Sequence, residues 1–264
     1  MEITVLGKSP AWQDAGGACS GYLVEDAGTT LLLDCGNGVF AKLRAMRDYT
    51  EVDAVLISHL HADHILDLVS FAYALLLSPR QQPVPVAGYP GTDRPARPRL
   101  IAPTGAGDVF RRLAGTWGNE SLIADAFELS EYDASSTVEV GSLRARFREV
   151  PHYVVSHAVN FSSENGDGRF TFSGDSRPSE ELVEAAHGTD LLLVEATLPR
   201  PERTGVRGHL TAAEAGDHAH RAGAKRVVLT HISDELDPEQ AADEAGRAFG
   251  GPVDVASEGA VYRL

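Results

Sequence analysis

Asp53-Ala54-Val55-Leu56-Ile57-Ser58-His59-Leu60-His61-Ala62-Asp63-His64 sets three histidines and an aspartate within six residues, a density found nowhere else in the 264-residue chain. Residues 53–57 read as a buried strand: short, apolar and rich in branched side chains. The apolar run over residues 65–77, broken by Asp67 and Ser70, is long enough for a helix. Residues 59–64 therefore form a turn at the carboxyl end of a strand, where open α/β sheets place ligand-binding groups. Four metal-binding side chains on one tight turn cannot all reach one ion. The pattern suits two adjacent metals, with His59 and His61 on one and Asp63 and His64 on the other. Imidazole and carboxylate donors suit zinc, and also manganese or iron. A turn of merely solvated histidines is the weaker reading, because further ligand-type residues follow downstream.

Composition is that of a globular protein, 43% hydrophobic and 23% charged, with no low-complexity tract. A net charge of −15 argues against a general nucleic-acid binder, which would present a basic face. A phosphate ester stays open as substrate, because bound metals supply their own local positive charge. Two cysteines, Cys19 and Cys35, make no disulfide framework, which points to a reducing compartment. No signal-peptide pattern precedes the strand-like residues 2–6, and no apolar run has the length of a membrane span. A cytoplasmic protein with no membrane partner is expected.

Residues 3–6, 21–25 and 30–34 look like successive strands separated by glycine-rich turns. The third ends at Asp34, which either orients a metal-binding histidine from behind or simply makes a strand-end turn. Cys35 reads as a small buried residue. Residues 78–99 form a proline-rich insertion, too long for an ordinary connection: a functional flap or a loose loop. Following the helix after the histidine turn, it could hang over the site. Its Arg80, Arg94, Arg97 and Arg99 would suit phosphate capture or solubilise the loop.

A strand over 100–102 and a helix over 105–117 follow, then an alternating strand over 142–150 that ends at Pro151-His152. Residues 154–162 are its hairpin partner. His152 and His157 compete as a further ligand, and His152 is preferred because it sits where a strand ends. A strand over 169–173 ends in Gly174-Asp175-Ser176, where Asp175 can bridge two metals or cap the next helix. That helix, about 178–187, has Pro178 near its start and Gly188 after it, which makes His187 a helix-end cation. Residues 190–195 form a buried strand ending in Glu195. Thr211 and Glu214 make a capping box, so His209 lies just before a helix amino terminus, where an imidazole can face an oxyanion. His218 and His220 read as surface histidines. Residues 226–230 form a strand with His231 at its end, followed by a helix over 238–249 and closing strands at 253–255 and 261–263. A strand followed by a ligand recurs at His59, Asp175, Glu195 and His231. This suggests two half-barrels of αβ type folded against each other.

His-x-His-x-Asp-His after an apolar strand resembles the signature of the metallo-β-lactamase superfamily. The resemblance implies an α/β fold: a four-layer αββα sandwich of two mixed β-sheets flanked by helices, one domain over residues 1–264. It also implies a dinuclear centre, with His59, His61 and His152 on one metal, Asp63, His64 and His231 on the other, and Asp175 between. A histidine shortly before a strand, the superfamily's pattern for the third ligand, matches His152. Two divalent cations roughly 3.5–4 Å apart lower the pKa of a bridging water and neutralise an anionic substrate. The resulting hydroxide attacks phosphorus or a carbonyl carbon while a second group protonates the leaving oxygen.

Glu195-Ala-Thr followed by His209-Leu-Thr-Ala resembles the branch containing RNase Z and related phosphodiesterases. That resemblance implies that His209 assists the phosphate or leaving group, that Glu195 supports it, and that Asp63 helps to deprotonate the nucleophile. RNase Z enzymes carry a long tRNA-gripping arm between the motifs that match His152 and Asp175. Only 22 residues separate the two here. The chain is thus similar to the armless bacterial proteins of this branch, and the expected substrate is a small phosphodiester such as a 3′,5′-cyclic nucleotide. An RNase Z-like ribonuclease, an ester, lactone or thioester hydrolase, and a metal-dependent sensor are the rival readings. Homodimerisation is expected from the resemblance alone.

Overall fold

Apolar strand sequences gather into two seven-stranded sheets in a computed structural model of the protein. The structure describes residues 1–264 apart from 165, 167 and 203. In the first sheet β1 (Glu2–Gly7), β2 (Gly21–Asp26) and β3 (Thr29–Leu33) pair antiparallel. β4 (Ala54–Leu56), β5 (Arg99–Pro103) and β6 (Glu128–Tyr132) extend it in parallel. The second sheet starts as an antiparallel meander of β7 (Thr137–Val140), β8 (Leu143–Val150), β9 (Ser156–Ser163) and β10 (Arg169–Phe172). It continues in parallel through β11 (Leu191–Glu195), β12 (Val227–Thr230) and β13 (Asp254–Val255). The final strand, β14 (Val261–Arg263), returns to pair with β1. Both sheets are therefore mixed. Both are also open, with β14 and β6 at the ends of one and β13 and β7 at the ends of the other.

Strands buried on both faces must be apolar on both faces, and the central ones such as β3, β4 and β12 are largely so. Leu31 and Leu33 face the opposite sheet, where they meet Phe161, Phe170, Phe172 and Leu193. Leu32, with Leu23, Val55 and Leu100, faces the helices of its own side. Those helices are α1 (Val39–Met46), α2 (Ala62–Ile65), α3 (Asp67–Leu77), α4 (Ala106–Gly115) and α5 (Leu122–Ala126). On the far side α6 (Glu180–Ala185), α7 (Ala212–Ala222) and α8 (Pro238–Phe249) cover Leu192, Val194, Val227 and Leu229. The layers are αββα, as the resemblance implied. Among the described residues no helix is long and apolar enough to cross a membrane.

Two local expectations change. The helix after the histidine turn begins earlier and is broken at Leu66, so Asp63 and His64 stand on the short α2 instead of in the turn. The proline-rich segment does not hang over that turn. It leaves the carboxyl end of α3 and rejoins the sheet at Arg99, opposite Ala54 at the start of β4. This is the end of the parallel strands away from the histidines. Arg80 pairs with Asp48 and lies over the Tyr49 ring, and Arg97 donates to the carbonyls of Ala124 and Phe127. These arginines fasten the loop to the helical layer.

Candidate metal centre

Six strands that run the same way, β3, β4, β8, β10, β11 and β12, end at one edge of the sandwich. Asp34, Ser58-His59, His152, Asp175, Glu195 and His231 stand at or just beyond those ends. The two sheets are joined there by a backbone bridge between His59 and Ser156 and by a hydrogen bond from the His157 N–H to the Ser58 carbonyl. Asp34 and His231 hold left-handed backbone angles, φ 58° and 53°. Strained residues of this kind persist where the surrounding structure over-determines them, and they cluster at functional sites.

Hydrogen bonds fix which nitrogen most of the histidines present. His64 Nδ1 donates to Asp34 Oδ2 at 2.7 Å, and His152 Nδ1 donates to the Gly208 carbonyl at 2.8 Å. Ser58 donates to Asp34, so its hydroxyl accepts from His59 Nδ1 at 3.1 Å. Thr197 donates to Glu195 at 2.7 Å, so its hydroxyl accepts from His231 Nδ1, also at 2.7 Å. In all four rings Nε2 is turned inward, and those of His59 and His64 have no hydrogen-bond partner. Ligating histidines need this arrangement, with the outer N–H held by a carboxylate, carbonyl or hydroxyl. His61 presents Nδ1, 3.0 Å from His152 Nε2.

The inward atoms converge on Asp175. Its Oδ2 lies 3.7 Å from His59 Nε2 and 3.8 Å from His152 Nε2 on one side. On the other it lies 3.5 Å from both His64 Nε2 and His231 Nε2. Asp63 Oδ2 completes the second group, 3.5 Å from His64 Nε2 and 3.1 Å from His231 Nε2. Bonds of about 2.0–2.2 Å in a tetrahedral shell would set neighbouring donor atoms about 3.3–3.6 Å apart, close to these spacings. His59 Nε2, His64 Nε2 and Asp175 Oδ1 are buried with no hydrogen-bond partner. Asp34, Asp63, Asp175 and Glu195 are all buried, and among the described residues their charged partners are histidines alone. Orphaned nitrogens around uncompensated carboxylates fit divalent metal. A plain hydrogen-bonded network would be expected to pair those atoms.

Burial pulls the pKa of His59, His61 and His152 down, keeping them neutral as ligands must be. His209 behaves in the opposite way. Burial works against its charge, but its Nδ1 donates to Glu195 Oε1 at 3.0 Å, and that carboxylate lifts the ring to about 9. Glu195 in turn is held by the backbone N–H groups of Ser176 and Leu210 and by the Thr197 hydroxyl. His209 is thus a charged acid at neutral pH, with Nε2 free. It packs 4.9 Å from His152 and 5.5 Å from His231, ring centre to ring centre.

All of His59, His61, Asp63, His64, His152, Asp175, Glu195, His209 and His231 therefore meet at one place. His157 does not; it is buried against Tyr132. Asp34 orients His64. His218 is not a surface residue: its Nδ1 donates to the Glu214 carbonyl and its Nε2 accepts from the Ser179 N–H, which docks α6 on α7. Ser58 and Thr197 escape sequence reasoning, although each lies inside a stretch that stands out for its neighbours.

The Beta-lactamase superfamily domain matches residues 29–232 of the chain. An uncharacterized protein of Mycobacterium tuberculosis is 33% identical over 258 residues, covering 96% of this chain and 88% of that protein. Ribonuclease Z of Myxococcus xanthus is 29% identical over 300 residues, covering 100% of this chain and 98% of that protein. The crystal structure of the metallo-beta-lactamase fold protein YhfI from Bacillus subtilis superposes with a TM-score of 0.84 at 24% identity, covering 99% of both chains.

Proposed function

The chain belongs to the beta-lactamase superfamily, and from that premise we propose that this metal-dependent hydrolase is a phosphodiesterase acting on a small diester such as a 3′,5′-cyclic nucleotide. The observation that carries this is His209, a buried imidazole held in its acid form by Glu195 beside the ligand cluster. Two metal ions, zinc by donor chemistry, would sit in the groups His59–His61–His152–Asp175 and Asp63–His64–His231–Asp175. Bound there, they would activate a water as nucleophile and neutralise the anionic diester.

The chain's own residues then divide the work. Asp63 accepts the nucleophile's proton. His209 Nε2 protonates the departing oxygen, a step that general acids accelerate by about 10²–10⁴-fold. Glu195 keeps that proton in place until it is needed. A small substrate is favoured because the interval from His152 to Asp175 holds little beyond β9 and β10. The alignment with the Myxococcus ribonuclease also runs over 300 positions against this chain's 264, so that relative carries segments with no counterpart here. A ribonuclease is the second reading, favoured by that relative's name.

Zinc- or manganese-loaded protein should hydrolyse bis(p-nitrophenyl) phosphate and cyclic AMP, and His209→Ala should lose about a hundredfold or more in kcat. Faster cleavage of p-nitrophenyl acetate with both diesters untouched would make the protein an acyl hydrolase. Cleavage confined to an RNA precursor would make it a ribonuclease.

A further inference from the structure

The mouth of the metal centre carries an aromatic side chain that the chemistry above does not use. Tyr153 directly follows the ligand-type His152 and is 48% exposed. Its ring is nevertheless held firmly in place. It lies 4.9 Å from the His152 ring and 5.8 Å from the His209 ring, centre to centre. It also presses on the backbone of Gly208, where a side-chain carbon would fall 2.2 Å from the ring. Only glycine allows this contact, so the sequence at residue 208 is matched to an aromatic at residue 153. Around it, Val154, Val155 and Val206 stand 40–68% exposed on the two loops that meet at the Tyr153–Gly208 contact. Exposed apolar side chains scattered singly are ordinary, but several on the loops beside a candidate catalytic cleft suit a ligand surface.

We propose that Tyr153, flanked by these valines, is a specificity-determining platform on which the base of a nucleotide substrate stacks. This rests on the phosphodiesterase reading above and adds the substrate class. The ring is well placed for such a role. It adjoins His209, the proposed proton donor to the leaving oxygen, so a nucleoside attached there would lie within reach of Tyr153. Stacking on an aromatic face tolerates any base, because every base presents a π surface. The flanking valines cover the apolar edge of the sugar and base. The platform therefore selects for a base without reading which one, and the natural substrate is expected to be a nucleotide rather than an alkyl or glycerol diester.

Binding tests this independently of turnover. Metal-loaded protein is titrated calorimetrically with adenosine 5′-monophosphate and with ribose 5-phosphate, which carries the same phosphate and sugar without the base. Wild type and Tyr153→Phe should bind the nucleotide about tenfold more tightly or better, the range that base–aromatic stacking supplies. Tyr153→Leu preserves an apolar contact with Gly208 but has no planar face, and it should bring the two affinities together. Equal binding of both ligands by wild type would overturn the proposal, as would an undiminished preference in Tyr153→Leu. Failure of the underlying reading looks different: the nucleotide preference persists while neither bis(p-nitrophenyl) phosphate nor cyclic AMP is cleaved.

Discussion

At the scale of single residues, the groups that touch no metal decide whether the centre works. Asp34 receives the Ser58 N–H, the Ser58 hydroxyl and the His64 ring, and so orients two histidines from opposite sides of one turn. Thr197 does the same on the other sheet, linking His231 to Glu195. Partners of this kind set ligand orientation and basicity, and their loss typically costs 10–100-fold in metal affinity. Thr197→Val and Asp34→Asn should each weaken zinc binding by about that factor in a competition titration with a chelating dye, while Thr197→Ser should stay near wild type. Glu195 sets a pH dependence whose sign follows from its charge. If His209 is the proposed general acid, its active form is the protonated one, and kcat/KM falls as pH rises through its pKa. Glu195 raises that pKa, and Glu195→Gln removes the carboxylate's charge. The basic limb of the pH–rate profile should therefore move to lower pH in this variant. An unmoved limb would take His209 out of the acid role.

At the scale of elements, the sheets are legible in the sequence because their signals are local. Apolar strand runs ending in a histidine or carboxylate announce both the strand and its function, at residues 59, 175, 195 and 231. β6 shows why other elements escape: only Tyr132 of its five residues is buried, so it carries no period-2 pattern to detect. His218 reads wrongly as a surface residue because spacing along α7 cannot tell which of its faces another helix covers. The α7–α8 crossing depends on Gly216, whose added side-chain carbon would meet the Ala245 carbonyl oxygen at 2.2 Å. Replacing a helical glycine by alanine ordinarily gains about 1 kcal/mol of propensity. Here the obstacle is backbone that cannot rotate aside, and overpacking costs about 1–3 kcal/mol. Gly216→Ala should therefore lower Tm. Gly107→Ala in α4 meets the flexible Glu131 side chain at an ordinary 3.4 Å and should raise it. Thermal denaturation of the two variants side by side separates propensity from packing.

At the scale of the whole molecule, the candidate metal centre lies on the seam between the two sheets, and the residues that could hold metal come from both. β4 and α2 of the first half supply His59, His61, Asp63 and His64. The ends of β8, β10 and β12 in the second supply His152, Asp175 and His231. The hydrogen bond from Tyr22 on β2 to Thr230 on β12 and the bridge from His59 to Ser156 cross the same seam. Removing cations from this edge leaves Asp63 and Asp175 buried with only histidines beside them, and the desolvation of those carboxylates is then poorly offset. Cations bound there would therefore stabilise the joined sheets as well as serve the proposed reaction. A ligand present at a thousandfold over its Kd adds about 4 kcal/mol to the folded state. In a domain of this size each kilocalorie is worth about 2–4 °C. Stripping metal with a chelator should lower Tm by about 10 °C, and stoichiometric zinc should restore it. The Asp175→Asn protein should respond weakly to both treatments, because its carboxamide cannot serve both groups as an anion. A wild-type Tm indifferent to chelation and to zinc would mean that the histidines and aspartates at the seam stabilise the fold by themselves.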